Sequence, residues 1–263
     1  MNKPSPPFVN ILIANYNYGK FLPDSLDSAL NQTYKNYGIV VVDDCSTDDS
    51  WKVIHEKLFK NIPHEKKDTE NFEYKIGRLN DTPVFAMRLK QNQGPSNARN
   101  FGIHETIEHT DAYLILDADD IMYPNKIERM IPYIMMSKDI GVVYADYDIL
   151  TQYTGNIIRQ YKEPYSKKRL MEECIVHSGS LIKSEALKGC VDQFGYYDAQ
   201  LRTCEDFDLW LRISDKFMIY HVPEALTQVT VHQNDSSHSV AKQKWDENYN
   251  RVMMKAKYRY EQK

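Results

Sequence analysis

The sequence predicts an α/β fold in which a mostly parallel sheet, flanked by helices, is followed by a smaller region of mixed elements. Short apolar runs alternate with segments of helical periodicity through the first 148 residues, and this alternation is typical of strands joined by right-handed helical crossovers. The runs are apolar at consecutive positions, as expected for strands that helices cover on both faces. A chain of 263 residues has room for one large domain of this kind.

The predicted elements of the first part follow one another with short polar breaks. Strands are predicted at 8–14, 39–42, 84–89, 113–116 and 142–147, and helices at 22–30, 51–58, 95–108 and 124–137. The segment 61–82 is charged and shows little periodicity, so we interpret it as a long surface loop.

Beyond residue 149 the pattern changes to shorter and more mixed pieces, which include a helix at 205–213 and a strand at 217–222. We predict a single domain over residues 1–240, with halves of about 8–148 and 149–240. The tail at 241–263 places apolar residues at helical spacing among basic ones. A helix docked on the domain explains this pattern, and a helix lying on a membrane surface is the alternative.

Composition narrows the range of partners and locations. The formal net charge is −4 and the isoelectric point is near 6.1, so the chain lacks the basic footprint of a protein whose main partner is nucleic acid. The four cysteines have no metal-ligand spacing, no signal segment opens the chain, and no apolar run approaches the length of a membrane span. These features predict a cytoplasmic protein, with at most a peripheral contact at the inner face of a membrane.

The run at 113–116 ends in a cluster of acids, Asp117, Asp119 and Asp120. Neighbouring carboxylates repel one another unless a cation lies among them, and Mg²⁺ and Mn²⁺ prefer oxygen ligands. The cluster therefore predicts a divalent metal site. The alternative is that Asp120 or a neighbour caps the helix that follows.

Two other predicted strands also end in polar residues. Asn15 and Tyr16 follow the first strand, and Asp43 and Asp44 follow the second. Because ligands of open parallel sheets bind beyond the carboxyl ends of the strands, we expect these side chains to share one site with the acid cluster. Tyr16 is able to stack on a nucleotide base while Asp44 or Asp43 accepts from its N–H groups.

Several segments, taken in order, resemble the family-2 glycosyltransferases with the GT-A fold. They are ILIANYN at 11–17, SALNQTY at 28–34, VVDDCSTD at 41–48, QG at 93–94 with ARN at 98–100, LDADD at 116–120 and EDFDLWLR at 205–212. The resemblance covers roughly residues 8–235. It implies a nucleotide-sugar donor with UDP as the expected nucleotide, a divalent Mn²⁺ or Mg²⁺ ion, and inverting transfer to an acceptor hydroxyl.

The resemblance also assigns roles to individual residues. Asp206 matches the general base. Asp117 and Asp119 match the metal-binding D-x-D pair. His232 then completes the metal shell or contacts the diphosphate, with Ser236 or Ser237 beyond it as donors to phosphate; the alternative is that His232 is structural. The residues that match contacts to the nucleotide are Asn15, Tyr16, Asp43, Asp44, Arg99, Asp117 (in addition to its metal role), Asp120 and Glu205. For Glu205 and Asp206 the alternative is that both are only acids in the first turn of a helix.

The resemblance further implies a carbohydrate or lipid-linked acceptor and a place in surface polysaccharide or glycan synthesis. The region of residues 149–240 is then the acceptor side, where the polar break at 177–180 suits a close approach to a sugar. A metal-dependent nucleotidyltransferase and a nucleotide-sugar binding module without turnover remain the alternatives. An oxidoreductase is disfavoured because no G-x-G-x-x-G follows the first strand.

Overall fold

The computed structural model describes residues 5–232 and 241–262, and in these ranges it contains one eleven-stranded sheet with helices on both faces. The strands are β1 Val9–Asn15, β2 Tyr37–Asp43, β3 His64–Asp68, β4 Phe72–Leu79, β5 Thr82–Leu89, β6 Ala112–Asp117, β7 Ile121–Met122, β8 Ile140–Thr151, β9 Asn156–Gln160, β10 Leu181–Lys183 and β11 Met218–Val231. The α-helices are α1 Leu22–Leu30, α2 Ser50–Ile54, α3 Pro95–Thr106, α4 Lys126–Met136, α5 Lys167–Leu170, α6 Ser184–Cys190, α7 Glu205–Ile213 and α8 Lys242–Glu261. A π-helical turn, His55–Phe59, continues α2, and a 3-10 turn, Ile107–His109, continues α3.

The strand order is β3-β4-β5-β2-β1-β6-β10-β8-β11-β7, and β9 pairs with β8. The central strands β5, β2, β1 and β6 are parallel, and β8 and β11 form a second parallel pair. Between these two groups lies the short strand β10, which is antiparallel to both of its neighbours. The predicted α/β class is confirmed, with a sheet that is mixed around a parallel centre.

The central strands are buried on both faces because their side chains supply two separate cores. In β1, Ile11 and Ile13 point into a core shared with Leu26 of α1, whereas Leu12 points into a core shared with Ile103 of α3. Burying an aliphatic side chain of this size contributes about 1.5–3 kcal/mol. Consecutive apolar residues therefore specify a strand covered on both sides.

The prediction of a surface loop at 61–82 is wrong, because β3 and β4 form an antiparallel hairpin that extends the sheet beyond β5. Phe72 and Tyr74 alternate along β4 and pack in contact with Phe101 and Phe85 respectively, whereas Lys75, on the opposite face, lies over the ring of Trp51. This period of two is the sequence signal of a strand. The high charge of β3, an edge strand that is mostly exposed, concealed it.

Two elements follow α7: strand β11, which joins the sheet beside β8, and helix α8, which packs on the second core. Strand β11 is longer than the predicted 217–222 and runs parallel to β8 for most of its length. Helix α8 docks on the domain, with Val252 and Ala256 in the second core and Lys255 Nζ 2.9 Å from carboxylate oxygens of both Asp198 and Asp208. Across the described residues, none of the helices is long and apolar enough to cross a membrane.

Candidate active site

The carboxyl ends of β1, β2 and β6 meet at one edge of the sheet. Asn15 lies opposite Asp43, and Ala14 lies opposite Asp117, so the polar residues that follow these strands start from neighbouring positions. A cleft of about 900 Å³ opens there. Among the predicted site residues, those that line it are Asn15, Tyr16, Asp44, Arg99, Asp117, Asp119, Asp120, Glu205 and Asp206.

One end of the cleft is formed by Tyr16 and Asp44. The Tyr16 side chain is 43% exposed and lies on the cleft wall. The Asp44 carboxylate accepts from the backbone N–H of Gln93 at 2.8 Å and of Gly94 at 2.6 Å, and burial raises its pKa. Each carboxylate oxygen has two lone pairs, so Asp44 holds the turn before α3 and keeps capacity for a further donor.

Gly94 permits the close approach of this turn to a cationic side chain. Its φ is +90°, which favours glycine, and a Cβ built there would lie 2.0 Å from Nη1 of Arg202. Arg202 lines the cleft, and its charge acts to lower the pKa of Asp44 against the larger effect of burial. The sequence reasoning did not find Arg202, because no motif surrounds it.

Asp43 lies behind the cleft wall rather than in it. Its side chain is fully buried and accepts hydrogen bonds from Asn15 Nδ2 at 2.7 Å and from the hydroxyl and backbone N–H of Ser46. These bonds orient the Asn15 amide. Asn15 Oδ1 is a buried acceptor without a hydrogen-bond partner among the residues in 5–232 and 241–262.

Arg99 joins three elements beneath the cleft. Its Nη1 donates to Glu205 Oε1 at 2.7 Å, its Nη2 donates to Asp117 Oδ1 at 2.8 Å, and its guanidinium lies over the ring of Tyr197. Burial alone would raise the pKa of Asp117, but the charge and hydrogen bond of Arg99 outweigh it, so the pKa lies below its usual range. The bridge ties α3 to β6 and α7.

Asp119 and Asp120 are in a different electrostatic state from Asp117. Burial and the negative charge of Asp117 raise the pKa of Asp119 to about 6, and burial with the charges of Asp117 and Asp119 raises that of Asp120 well above its usual range. Asp120 does not cap α4, which begins after Asn125; it accepts from the backbone N–H of Thr230 in β11 at 3.1 Å. Asp117 therefore has a cationic partner in Arg99, whereas the groups beside Asp119 in the described ranges are the carboxylate of Asp117 and the imidazole of His232.

His232 lies directly beside Asp119, with 3.0 Å between Nε2 and Oδ2, and its ring stacks on Phe21 at 4.3 Å. The other predicted metal ligand, Asp117, is engaged by Arg99 and by the hydroxyl of Ser178 at 3.2 Å. Three or more acidic, histidine or cysteine residues do not come together as a metal cage anywhere in the described chain. Ser236 and Ser237 lie outside the described residues.

A carboxylate beside an imidazole suits a divalent ion that takes its remaining ligands from substrate phosphates. Mg²⁺ is commonly held in this way, by one or two protein carboxylates together with phosphate oxygens and water. The Asp119–His232 pair thus fits such an ion on the chemistry of its donor atoms.

Asp206 lies in the first turn of α7, on the cleft side. Its Oδ1 accepts from the backbone N–H of Phe207 at 2.7 Å, and burial together with the charge of Glu205 raises its pKa to about 7. Glu205 points instead to Arg99. The two adjacent acids therefore have different partners, and Asp206 has the pKa of a group able to exchange a proton near neutral pH.

The far wall of the cleft carries residues that the sequence reasoning placed only in outline or not at all. His177 and Ser178, from the predicted polar break, line it, and burial with the charge of Lys126 lowers the pKa of His177 to about 3. Trp245 and Tyr249 of α8 also line it. Their helical spacing indicated a docking helix but not its position at the cleft.

Comparison with known proteins agrees with this geometry. The sequence model of glycosyl transferase family 2 matches residues 10–189, which is more than half of the chain. An uncharacterized glycosyltransferase of Rickettsia typhi is 27% identical over 246 residues, covering 90% of this chain and 68% of that protein. Another, of Methanocaldococcus jannaschii, is 27% identical over 238 residues, covering 88% of this chain and 73% of that protein.

Solved structures share the fold at low identity. The S. aureus TarS fragment 1–349 in complex with UDP-GlcNAc superimposes with a TM-score of 0.68 at 18% identity, over 89% of this chain and 61% of that one. The mannosyltransferase PcManGT from Pyrobaculum calidifontis, in complex with GDP-Man and Mn²⁺, superimposes with a TM-score of 0.61 at 14% identity. This match covers 89% of this chain and 59% of that one. The chain thus spans about three fifths of these structures. With its strand-end acids and the extent of the family match, the chain belongs to glycosyl transferase family 2.

Proposed function

We propose that this chain is an inverting, metal-dependent glycosyltransferase that moves a sugar from UDP to a hydroxyl of a carbohydrate or lipid-linked acceptor. The observation that carries the proposal is the convergence on one cleft of an exposed ring at Tyr16, the Asp119 carboxylate, which the buried His232 contacts from behind the lining, and the acid Asp206, whose pKa is about 7. Each corresponds to one requirement of the reaction: a site for the base, a site for the diphosphate and a proton acceptor.

The base of the donor is assigned to the end of the cleft at Tyr16. Its ring offers a stacking surface. Asp44 is an acceptor for N–H or O–H groups of the nucleoside, and so is Asn15 Oδ1, which has no hydrogen-bond partner within the described part of the chain. Uracil presents one ring N–H, for which either acceptor is a suitable partner. Asp43 has a positioning role in this proposal, because its bonds hold the Asn15 amide.

Asp119 and His232 would hold the divalent ion, Mn²⁺ or Mg²⁺. When bound, such an ion stabilises the negative charge that develops on a departing diphosphate. Asp117, held by Arg99 and Ser178, is assigned to the nucleotide, together with Asp120 and Glu205 as members of the same acidic wall. Arg99 fixes the orientation of the Asp117 and Glu205 carboxylates and holds the pKa of Asp117 below its usual range.

The transfer is a single in-line displacement. The acceptor oxygen forms a bond to the anomeric carbon while the bond from that carbon to the diphosphate oxygen breaks, and the diphosphate departs with the electron pair. Asp206 takes the proton of the acceptor hydroxyl as the new bond forms. The cleft walls hold the two reactants in line, which removes much of the entropic barrier of a bimolecular step.

The nature of the donor is supported by what the structural neighbours bind. TarS was solved with UDP and with UDP-GlcNAc, and PcManGT with GDP-Man and Mn²⁺. Surface polysaccharide or glycan synthesis is the setting we propose for the acceptor.

The test is a panel of nucleotide sugars assayed for release of the nucleoside diphosphate, with and without Mn²⁺. We expect a UDP-sugar to be turned over. A parallel assay supplies a nucleoside triphosphate with a sugar 1-phosphate, from which a nucleotidyltransferase would release pyrophosphate as it forms the nucleotide sugar. Binding without turnover of any donor, even with a broad acceptor mixture, would identify a binding module.

We also propose which half of the domain binds the donor and which binds the acceptor. Residues of about 8–148 bind the nucleotide, and residues of about 149–240 form the acceptor side of one domain over residues 1–240. We also propose a cytoplasmic location with peripheral membrane contact through the tail, for which Met254, Tyr258 and Tyr260 of α8 are exposed. Co-sedimentation with vesicles of anionic lipid tests this contact. If the protein does not co-sediment with them at low salt, the proposed membrane contact is wrong.

A further inference from the structure

A row of three aromatic rings leads away from the proposed base. Phe207, the residue after Asp206, stacks with Tyr249 at 5.9 Å and 23°, and Tyr249 stacks with Trp245 at 5.5 Å and 11°. The first ring belongs to α7 and the other two to α8, and all three side chains line the cleft. Phe207 is buried, whereas Trp245 is 41% exposed, so the row ends in a ring that faces open space.

Two hydrogen bonds tie the helix that carries Tyr249 and Trp245 to the rest of the domain. The Tyr249 hydroxyl donates to the backbone carbonyl of Glu172 at 3.0 Å. Between the two rings, Asn248 Nδ2 donates to Thr203 Oγ1 at 2.8 Å in a buried contact. The exposed ring of Trp245 is therefore preorganised, and a ligand that stacks on it bears little cost for ordering it.

The position of the row favours the acceptor over the donor. It begins at the residue next to Asp206, which faces the acceptor hydroxyl in the proposed reaction, whereas the base-binding residues Tyr16 and Asp44 follow β1 and β2. A flat apolar ring with acids around it matches the C–H face of a pyranose, which is apolar in the middle and hydroxylated at its edge.

The charges near the row restrict the acceptor further. Glu172 and Glu173 line the cleft beside Tyr249, and Asp206 lies at the inner end of the row. Arg169, which is outside the cleft lining, pairs with Glu172, Glu173 and Glu163 together, so this group keeps a net negative charge. Negative groups at this position repel an anionic ligand and accept hydrogen bonds from hydroxyls.

We infer that the Trp245–Tyr249 ring pair is the acceptor platform of this enzyme, and that the sugar it holds is an uncharged pyranoside stacked on Trp245. This inference rests on the proposed function. It adds a residue of the C-terminal helix to the binding site and names the class of acceptor.

Fluorescence tests the platform without any need for turnover. The chain has three tryptophans; Trp210 is buried, Trp51 lies under Lys75, and Trp245 alone among the described ones lines the cleft. Acrylamide quenching is measured in the presence of UDP and Mn²⁺ with methyl glycosides of glucose, galactose and N-acetylglucosamine, and with methyl glucuronide as the anionic counterpart. We expect at least one neutral glycoside to shield the fluorescence and the glucuronide not to.

Three variants assign the signal. Trp245→Phe should lose the shielding, and Trp245→Ala should raise the KM for the shielding glycoside about tenfold, the upper range for one aromatic contact. Tyr153→Ala removes a ring that is 61% exposed and outside the cleft lining, and it should behave as the unsubstituted protein. The affinity for UDP is measured for each.

The inference is overturned if no neutral glycoside shields Trp245, if the glucuronide shields it equally, or if Trp245→Ala weakens UDP as much as the glycoside. Donor release is measured in parallel. Shielding without donor release would refute the proposed transfer and leave a carbohydrate platform, whereas donor release without shielding would refute the platform alone.

Discussion

Replacing Asp206 by Asn separates a general base from an acid that only begins a helix. The Asp206 Oδ1 accepts from the backbone N–H of Phe207, and an Asn Oδ1 accepts the same bond, so α7 keeps its first turn. The change removes the ionisable oxygen and leaves the shape. If Asp206 takes the acceptor proton, transfer should fall by about 10²–10⁴-fold, because an amide does not accept that proton near neutral pH.

The raised pKa of Asp206 predicts the pH dependence of both activity and stability. Burial and the charge of Glu205 raise it from 3.8 to about 7, so transfer should rise with pH through about 7 as the base ionises. A folded state with the higher pKa binds this proton more tightly than the unfolded state, so this group's contribution to stability is lost as pH rises from 3.8 to about 7. The Asn variant should then melt no lower than the unsubstituted protein above that range.

Glu205→Gln is the matched control. It removes the negative charge that helps to raise the pKa of Asp206, so the acidic limb of the rate profile should move to lower pH. The assay is donor turnover with acceptor from about pH 5 to about pH 9, with UDP affinity and melting temperature measured alongside. Near-normal turnover in Asp206→Asn with an intact fold would refute the assignment, and a much larger loss in Glu205→Gln would move the base to that residue.

Three further predictions concern the donor and the framework of the site. Tyr16→Ala should weaken UDP binding by about 1–3 kcal/mol in calorimetry, the scale of base–aromatic stacking, and an unchanged affinity would place the base elsewhere. Asp119→Ala should abolish the Mn²⁺ binding seen by paramagnetic resonance and reduce transfer to the level found with a chelator, whereas full turnover in excess EDTA would contradict a metal site. Arg99→Met leaves Asp117 and Glu205 without their shared cation, so urea unfolding should show a loss of about 3–5 kcal/mol, and a loss below about 1 kcal/mol would show that the bridge is not structural.

The class of the fold and the polar ends of its central strands follow from local features of the sequence. Consecutive apolar residues such as Ile11, Leu12 and Ile13 specify a strand covered on both faces, and the helical spacing in α1 and α7 is equally local. Because parallel strands end at the same edge, the juxtaposition of Asn15, Asp43 and Asp117 follows from strand type and order alone.

The tertiary structure decided which polar groups are partners. Asp117 and Glu205 share Arg99, and Asp119 lies beside His232 across 113 residues of chain. The residues next to a carboxylate in the sequence do not determine its ionic partner, because that partner often comes from a distant element packed against it. The same holds for the availability of Asp43, which the sequence placed at the nucleotide and the fold buried behind Asn15.

The edges of the domain depended most on long-range contacts. The β3–β4 hairpin forms because β5 offers an unpaired edge and Phe101 a surface for Phe72, and neither is visible in the charged segment itself. Helix α8 was predicted from its periodicity, but its place beside the cleft follows from Lys255 meeting Asp198 and Asp208. Periodicity specifies the face that a helix buries, whereas the surface that receives that face exists only after the rest of the chain has folded.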